Sequence, residues 1–141
     1  MATALVDCDA AWRAPLRKVR RPAELLIASL RALEIDLRAE ERRQQLVRQL
    51  QQLNQAPWNA PSPEGWADTE GDWLDGDALL RRLDLISAVV RRRPAGLDAD
   101  TLAEQLFGAA LTSSLRRILR DAPDPETAFT LVLASPLFQR R

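Results

Sequence analysis

Apolar side chains recur at three- and four-residue intervals along almost the whole chain, and no segment alternates apolar with polar residues as a half-buried strand does. That spacing is the mark of amphipathic helices, whose inward stripe returns once per turn. Leu25, Leu26, Leu30 and Leu33 share one side of a segment opened by Pro22, and Ile27 widens the stripe. Leu46, Val47, Leu50 and Leu53 repeat the pattern in LRAEERRQQLVRQLQQLNQ. Leu79, Leu80, Leu83, Ile86 and Val90 repeat it in DALLRRLDLISAVVRRR. The sequence therefore predicts an all-α fold, an irregular helical bundle of about six or seven helices. A chain of 141 residues suits one such domain, 1–141, with a modest core.

Helix punctuation agrees with the stripes. Pro22 fits a first helical position, where the missing N–H costs nothing, and Glu24 suits the positive end of that helix. Asp75 or Asp77 is expected to cap the helix that ends at Arg91, Arg92 and Arg93, with Pro94 and Gly96 as its stop. Thr101 and Glu104 have capping-box spacing in DADTLAEQLFG, and Gly108 suits the C-terminal cap. Thr112 or Ser113 opens TSSLRRILRDA, with Leu115, Ile118 and Leu119 inward, and Asp124-Pro125 opens the next helix, whose core side is Phe129, Val132 and Leu133. PLFQRR adds a final turn. Residues 2–13 read as a weak first helix anchored by Leu5 and Trp12. Gln44, Gln45, Gln49, Gln51 and Gln52 form a polar face read as solvated.

Composition removes several chemistries. Histidine and tyrosine are absent and Cys8 is the single cysteine. Ser-His-Asp and Cys-His catalysis, intrachain disulfides and the usual zinc sites are thus out of reach within the chain. Twenty basic residues balance twenty acidic ones, so no global field draws nucleic acid or an anionic membrane. Neither is expected as a partner, and no cofactor or metal is expected. The runs Arg17–Arg21, Arg91–Arg93 and Arg140–Arg141 are read as helix-end cations or partners of the matched acids. Cys8 is read as a small buried hydrophobe. No apolar run has the length of a membrane span and the start lacks a signal-peptide pattern, which makes a cytoplasmic location the default.

The long Pro/Gly/Trp-rich loop at about 56–76 interrupts the helices with PSPEGWADTEGDW. Loops of this length are mostly functional or packed on themselves. Trp58, Trp66 and Trp73, with Glu64, Asp68 and Asp72, offer an aromatic platform with polar partners for a sugar or peptide. The same indoles can instead pin the loop to the helices, a few kcal/mol of apolar burial each. The stretch is read as a folded-over plug first and a ligand site second, with Trp58, Glu64, Trp66, Asp72 and Trp73 as the candidate ligand-binding residues. The loop's acids lack the ligand order and the fixed glycine of a calcium-binding EF-hand.

Three phrases in order, RKVRRPAELLIASLRAL (17–33), APSPEGWADTEGDWLDGDALLRRLDLI (60–86) and LVLASPLFQRR (131–141), resemble the C-terminal part of the bacterial domain of unknown function 1800 family. The resemblance spans nearly the whole chain. Gly65-Trp66 and Trp73 after the proline-rich stretch are its most specific part. It implies that this chain corresponds to the last portion of longer, often exported relatives. Cys8-Asp9 stands where relatives tend to have His-Pro. The resemblance supports the helical reading and supplies no catalytic residue. The functional expectation is a non-enzymatic interaction or scaffold module that forms a homo-oligomer or binds a protein partner. The alternative is a ligand-binding domain that uses the tryptophan loop. A third, weaker reading is a hydrolase built on acidic residues.

Overall fold

A computed structural model describes residues 7–8, 18–67 and 69–140. Among these residues seven α-helices form and no strand: α1 (Pro22–Ala32), α2 (Glu40–Gln52), α3 (Gly76–Val90), α4 (Ala99–Phe107), α5 (Ser113–Arg120), α6 (Pro125–Ala134) and α7 (Pro136–Gln139). The expected all-α architecture is what the chain adopts. Of the helix expected over 2–13 only Asp7 and Cys8 are described, and neither is helical; the rest lies outside the described residues.

Most caps fall where the sequence puts them. Pro22 occupies the first turn of α1, and the Arg21 backbone N–H donates to Glu24 Oε2 at 3.0 Å. The Asp75 carboxylate accepts from the Ala78 N–H at 2.6 Å, Thr112 Oγ1 from Leu115 at 3.2 Å, and Asp124 from Thr127 at 2.8 Å. At α4 the cap is Asp98 rather than Thr101: its Oδ2 accepts from both the N–H and the hydroxyl of Thr101, each at 2.8 Å. A carboxylate one turn earlier outcompetes the hydroxyl because it accepts two hydrogen bonds at once. Gly108, with φ of 47°, ends α4 in a conformation that a side chain rarely adopts.

The core is organised on α3 and α6. These two helices pack on each other, α1 packs on α3, and α4, α5 and α7 gather around α6. Leu25, Leu33, Ile86, Val89, Val90, Phe129, Val132 and Leu133 are fully buried between them. Each such side chain contributes about 1.5–3 kcal/mol of apolar transfer. By contrast, α2 buries only Leu46 along its length, with Leu53 just beyond its end.

The structure redraws the inward side of four helices. On α3 the buried meridian runs through Arg82, Leu85, Ile86 and Val89, while Leu79, Leu80 and Leu83 stand exposed. Successive helical residues turn about 100°, which puts Leu80 about 160° round from Arg82. Val47 on α2, Ile118 on α5 and Ile27 on α1 are likewise exposed rather than inward. Cys8 is exposed, not buried.

Candidate functional site

The tryptophan loop leaves α2 through two residues in left-handed conformation, Asn54 (φ 57°) and Trp58 (φ 64°). Its far end is a folded plug. Trp73 is 7% exposed, and its indole N–H donates to the Ala67 carbonyl at 3.0 Å. Trp66 leans on it, half-buried, with ring centroids 6.4 Å apart and planes tilted by 51°. Tilted indole pairs of this spacing add to simple burial because edge meets face. Arg140 pairs with Glu70, fastening the loop to the C-terminal end, and the buried Gln55 accepts from the Ala23 N–H at 2.7 Å, fastening it to α1.

The five sequence candidates therefore separate. Trp66 and Trp73 come together with Asp72 beside them, and Asp72 accepts from the Thr69 hydroxyl. Glu64 is exposed. Trp58 is fully exposed and stacks on neither of the other loop indoles. Asp68 lies outside the described residues. No three-tryptophan platform forms. Asp72 and Trp73 instead line a cavity of about 20 Å³ shared with Asn54, Asp75 and Arg82, roomy enough for a single water.

Arg82 is the residue that the sequence reading passed over. It is 2% exposed, on the inner side of α3. Its Nε and Nη2 both donate to Gln139 Oε1, at 2.9 and 2.7 Å, and Nη2 also donates to the Arg20 carbonyl at 2.7 Å. Gln139 in turn donates to the Leu133 carbonyl at 2.8 Å, and its own carbonyl accepts from the Arg20 N–H at 2.8 Å. Arg20 lies over the Phe138 ring, 5.1 Å from its centroid, and donates to the Arg140 carbonyl at 2.8 Å. One buried guanidinium thus joins the segment before α1 to the segment after α6. Loss of hydration lowers its pKa to about 10, which still leaves it cationic at neutral pH. Its register could have revealed it, because it stands three, four and seven residues before Leu85, Ile86 and Val89.

Two open surfaces among the described residues bear on function. The first is the leucine face of α3, where Leu79, Leu80 and Leu83 are 45%, 63% and 42% exposed. The second is a groove of about 500 Å³ between α2 and α3, lined by Gln49, Gln52, Leu53, Arg81, Asp84, Leu85 and Ala88. Its size is that of a small-molecule site. Two of the glutamines read as solvated therefore form a wall of this groove. Among the described residues no group of three or more His, Cys, Asp or Glu side chains is placed to hold a metal ion. No described helix is long and apolar enough to cross a membrane.

Electrostatics elsewhere follow the helix ends. The Thr101 and Thr127 hydrogen bonds hold the Asp98 and Asp124 carboxyls below the usual carboxylate range. Burial, then the nearby Arg42 and Arg91 cations, lower the pKa of Arg92.

The family model for DUF1800, a protein family of unknown function, matches residues 1–140. The chain belongs to the DUF1800 family. Comparison with curated proteins and with solved structures returned no match. The matched region includes the tryptophan plug, the Arg82 clasp and both open surfaces. Family membership assigns none of them a role.

Proposed function

We propose that this DUF1800 chain is a non-enzymatic interaction module that engages a protein surface through the leucine face of α3. The observation that carries the reading is the exposure of Leu79, Leu80 and Leu83 on a helix that buries Ile86 and Val89 completely. Three leucines within five residues are more apolar surface than scattered exposure accounts for, and contiguous apolar surface marks association sites. The equal numbers of acidic and basic residues mean that two copies do not repel each other. The reading therefore commits to a second copy as the partner. Sedimentation across a concentration series tests it: association expected for the native chain and lost in Leu80→Glu supports it, and a compact monomer at high concentration contradicts it.

A second reading has one observation in its favour. Trp58 is fully exposed at a φ of 64°, a conformation that is strained for a bulky residue and that concentrates at binding sites. A ligand-binding role for the tryptophan loop then falls to Trp58, with Glu64 nearby in sequence, because Trp73 is already used in packing. Tryptophan emission that shifts on addition of a glycan or peptide, and no longer shifts in Trp58→Ala, supports this role. Emission unchanged by either probe contradicts it.

A further inference from the structure

Independently of the leucine face, we infer that the groove between α2 and α3 is a binding site for an α-carboxylate flanked by an N–H group and an apolar side chain. The C-terminal residue of a peptide and a free amino acid share that chemistry. Four described side-chain atoms are buried without a hydrogen-bond partner, and two of them, unlike Ser29 Oγ and Arg82 Nη1, belong to residues that line this groove. Arg81 Nε and Gln49 Oε1 are both shut off from solvent and neither has a hydrogen-bond partner. An unmet buried donor or acceptor costs about 1–3 kcal/mol, and each of these side chains recovers it by turning that atom toward a ligand in the groove. Both residues line the same groove of about 500 Å³.

The two demands are opposite in kind. Arg81 Nε needs an acceptor, and a guanidinium meets a carboxylate best because two parallel N–H groups match its two oxygens. Gln49 Oε1 needs a donor, which an amide or amino N–H supplies. Asp84 and Gln52 stand on the same walls, and Leu53, Leu85 and Ala88 provide the apolar part of the lining. Arg81 and Asp84 form no ion pair with each other within 4.0 Å, so neither charge is neutralised by its nearest opposite on the helix. A carboxylate, an N–H and an aliphatic side chain around one carbon atom would answer all three features at once.

The experiment is an amide-resolved NMR titration of the whole chain with N-acetylleucine and with N-acetylleucine amide, which differ only in the carboxylate. The expected result is that the acid shifts the backbone signals of Gln49, Gln52, Asp84 and Ala88. The amide analogue should bind about ten- to a hundredfold more weakly, the scale of a lost charge-assisted hydrogen bond. Arg81→Met should bring acid and amide to equal affinity. Its fold should be unchanged, since no hydrogen bond within the chain is made by Arg81 Nε. If Arg81→Met does not fold, Arg81→Lys decides the matter: weaker binding of the acid alone supports the site, and native-like binding overturns it. Titration with leucine separates the two sources. Tighter binding of leucine than of N-acetylleucine, abolished by Asp84→Asn, identifies a free amino acid. The reverse order identifies a peptide end. Equal shifts by acid and amide in the native chain, shifts confined to other surfaces, or none up to the solubility limit would overturn the inference.

Discussion

Helix α3 presents two apolar sides that the amino-acid sequence makes look alike and that the fold treats oppositely. One side carries Leu85, Ile86, Val89 and Val90 with Arg82 among them, and all five are buried against α1 and α6. The other carries Leu79, Leu80 and Leu83, and all three are exposed. The inner side includes a charged residue and the outer side has none. The difference teaches that polarity alone does not set the direction in which a helix faces. What sets it here is which side finds partners: Arg82 finds Gln139 and the Arg20 carbonyl, whereas Leu79, Leu80 and Leu83 stay exposed. The Arg82 cation is held by the bonds from Nε and Nη2, while its Nη1 is buried without a partner, and it fastens the segment before α1 to α7.

Breaking the inner side should have the largest effect. Ile86→Ala removes a fully buried branched side chain at the α3–α6 contact and is expected to cost about 4 kcal/mol, read as a lowered denaturant midpoint. Arg82→Ala comes next, at about 3 kcal/mol, because it strands Gln139 Oε1 and the Arg20 carbonyl in the interior. Amide exchange should show that loss first at the Arg20 N–H, which bonds to the Gln139 carbonyl. Replacing Gln139 by Leu in the Arg82→Ala background should cost less than the two single changes added together, since they share one network.

A smaller effect concerns the caps of α6, which covers the inner side, and of α4, which packs on α6. The folded chain holds Asp98 and Asp124 below their ordinary pKa, so the unfolded chain binds protons more readily. The stability they add is complete above the ordinary carboxylate pKa of about 4 and is lost as pH falls through their lowered values. Asp98→Ala and Asp124→Ala should each lower the midpoint at neutral pH and flatten the acid limb of the stability curve. An unchanged limb would mean that the hydrogen bonds from Thr101 and Thr127 do not act in solution.

Much of this was legible in the sequence because it is local. Asp75, Thr112 and Asp124 announce helix starts through bonds to residues three positions away, and Pro22 does so by needing no N–H partner at the first helical position; the structure shows each of them. The plug was legible in part: Trp73 is buried and Trp66 leans on it, while Trp58 is not part of it. What was not legible depends on distant parts of the chain. Which α3 stripe turns inward depends on α6, more than thirty residues later. The role of Arg82 depends on Gln139, 57 positions away. The groove depends on α2 and α3 being brought side by side across the tryptophan loop, and only then do Gln49 and Arg81 face a common space. Periodicity marks a helix as amphipathic without naming the neighbour that will cover it.

The account rests most heavily on the claim that the leucine face of α3 is no part of the folded interior. The direct measurement is the unfolding free energy of Leu80→Glu in dilute solution, alongside Ile86→Ala. A change within about 0.5 kcal/mol of the native chain for Leu80→Glu, beside the severe loss for Ile86→Ala, is the predicted result. A loss for Leu80→Glu as large as that for Ile86→Ala would contradict it, since a carboxylate is that costly only where the leucine was buried.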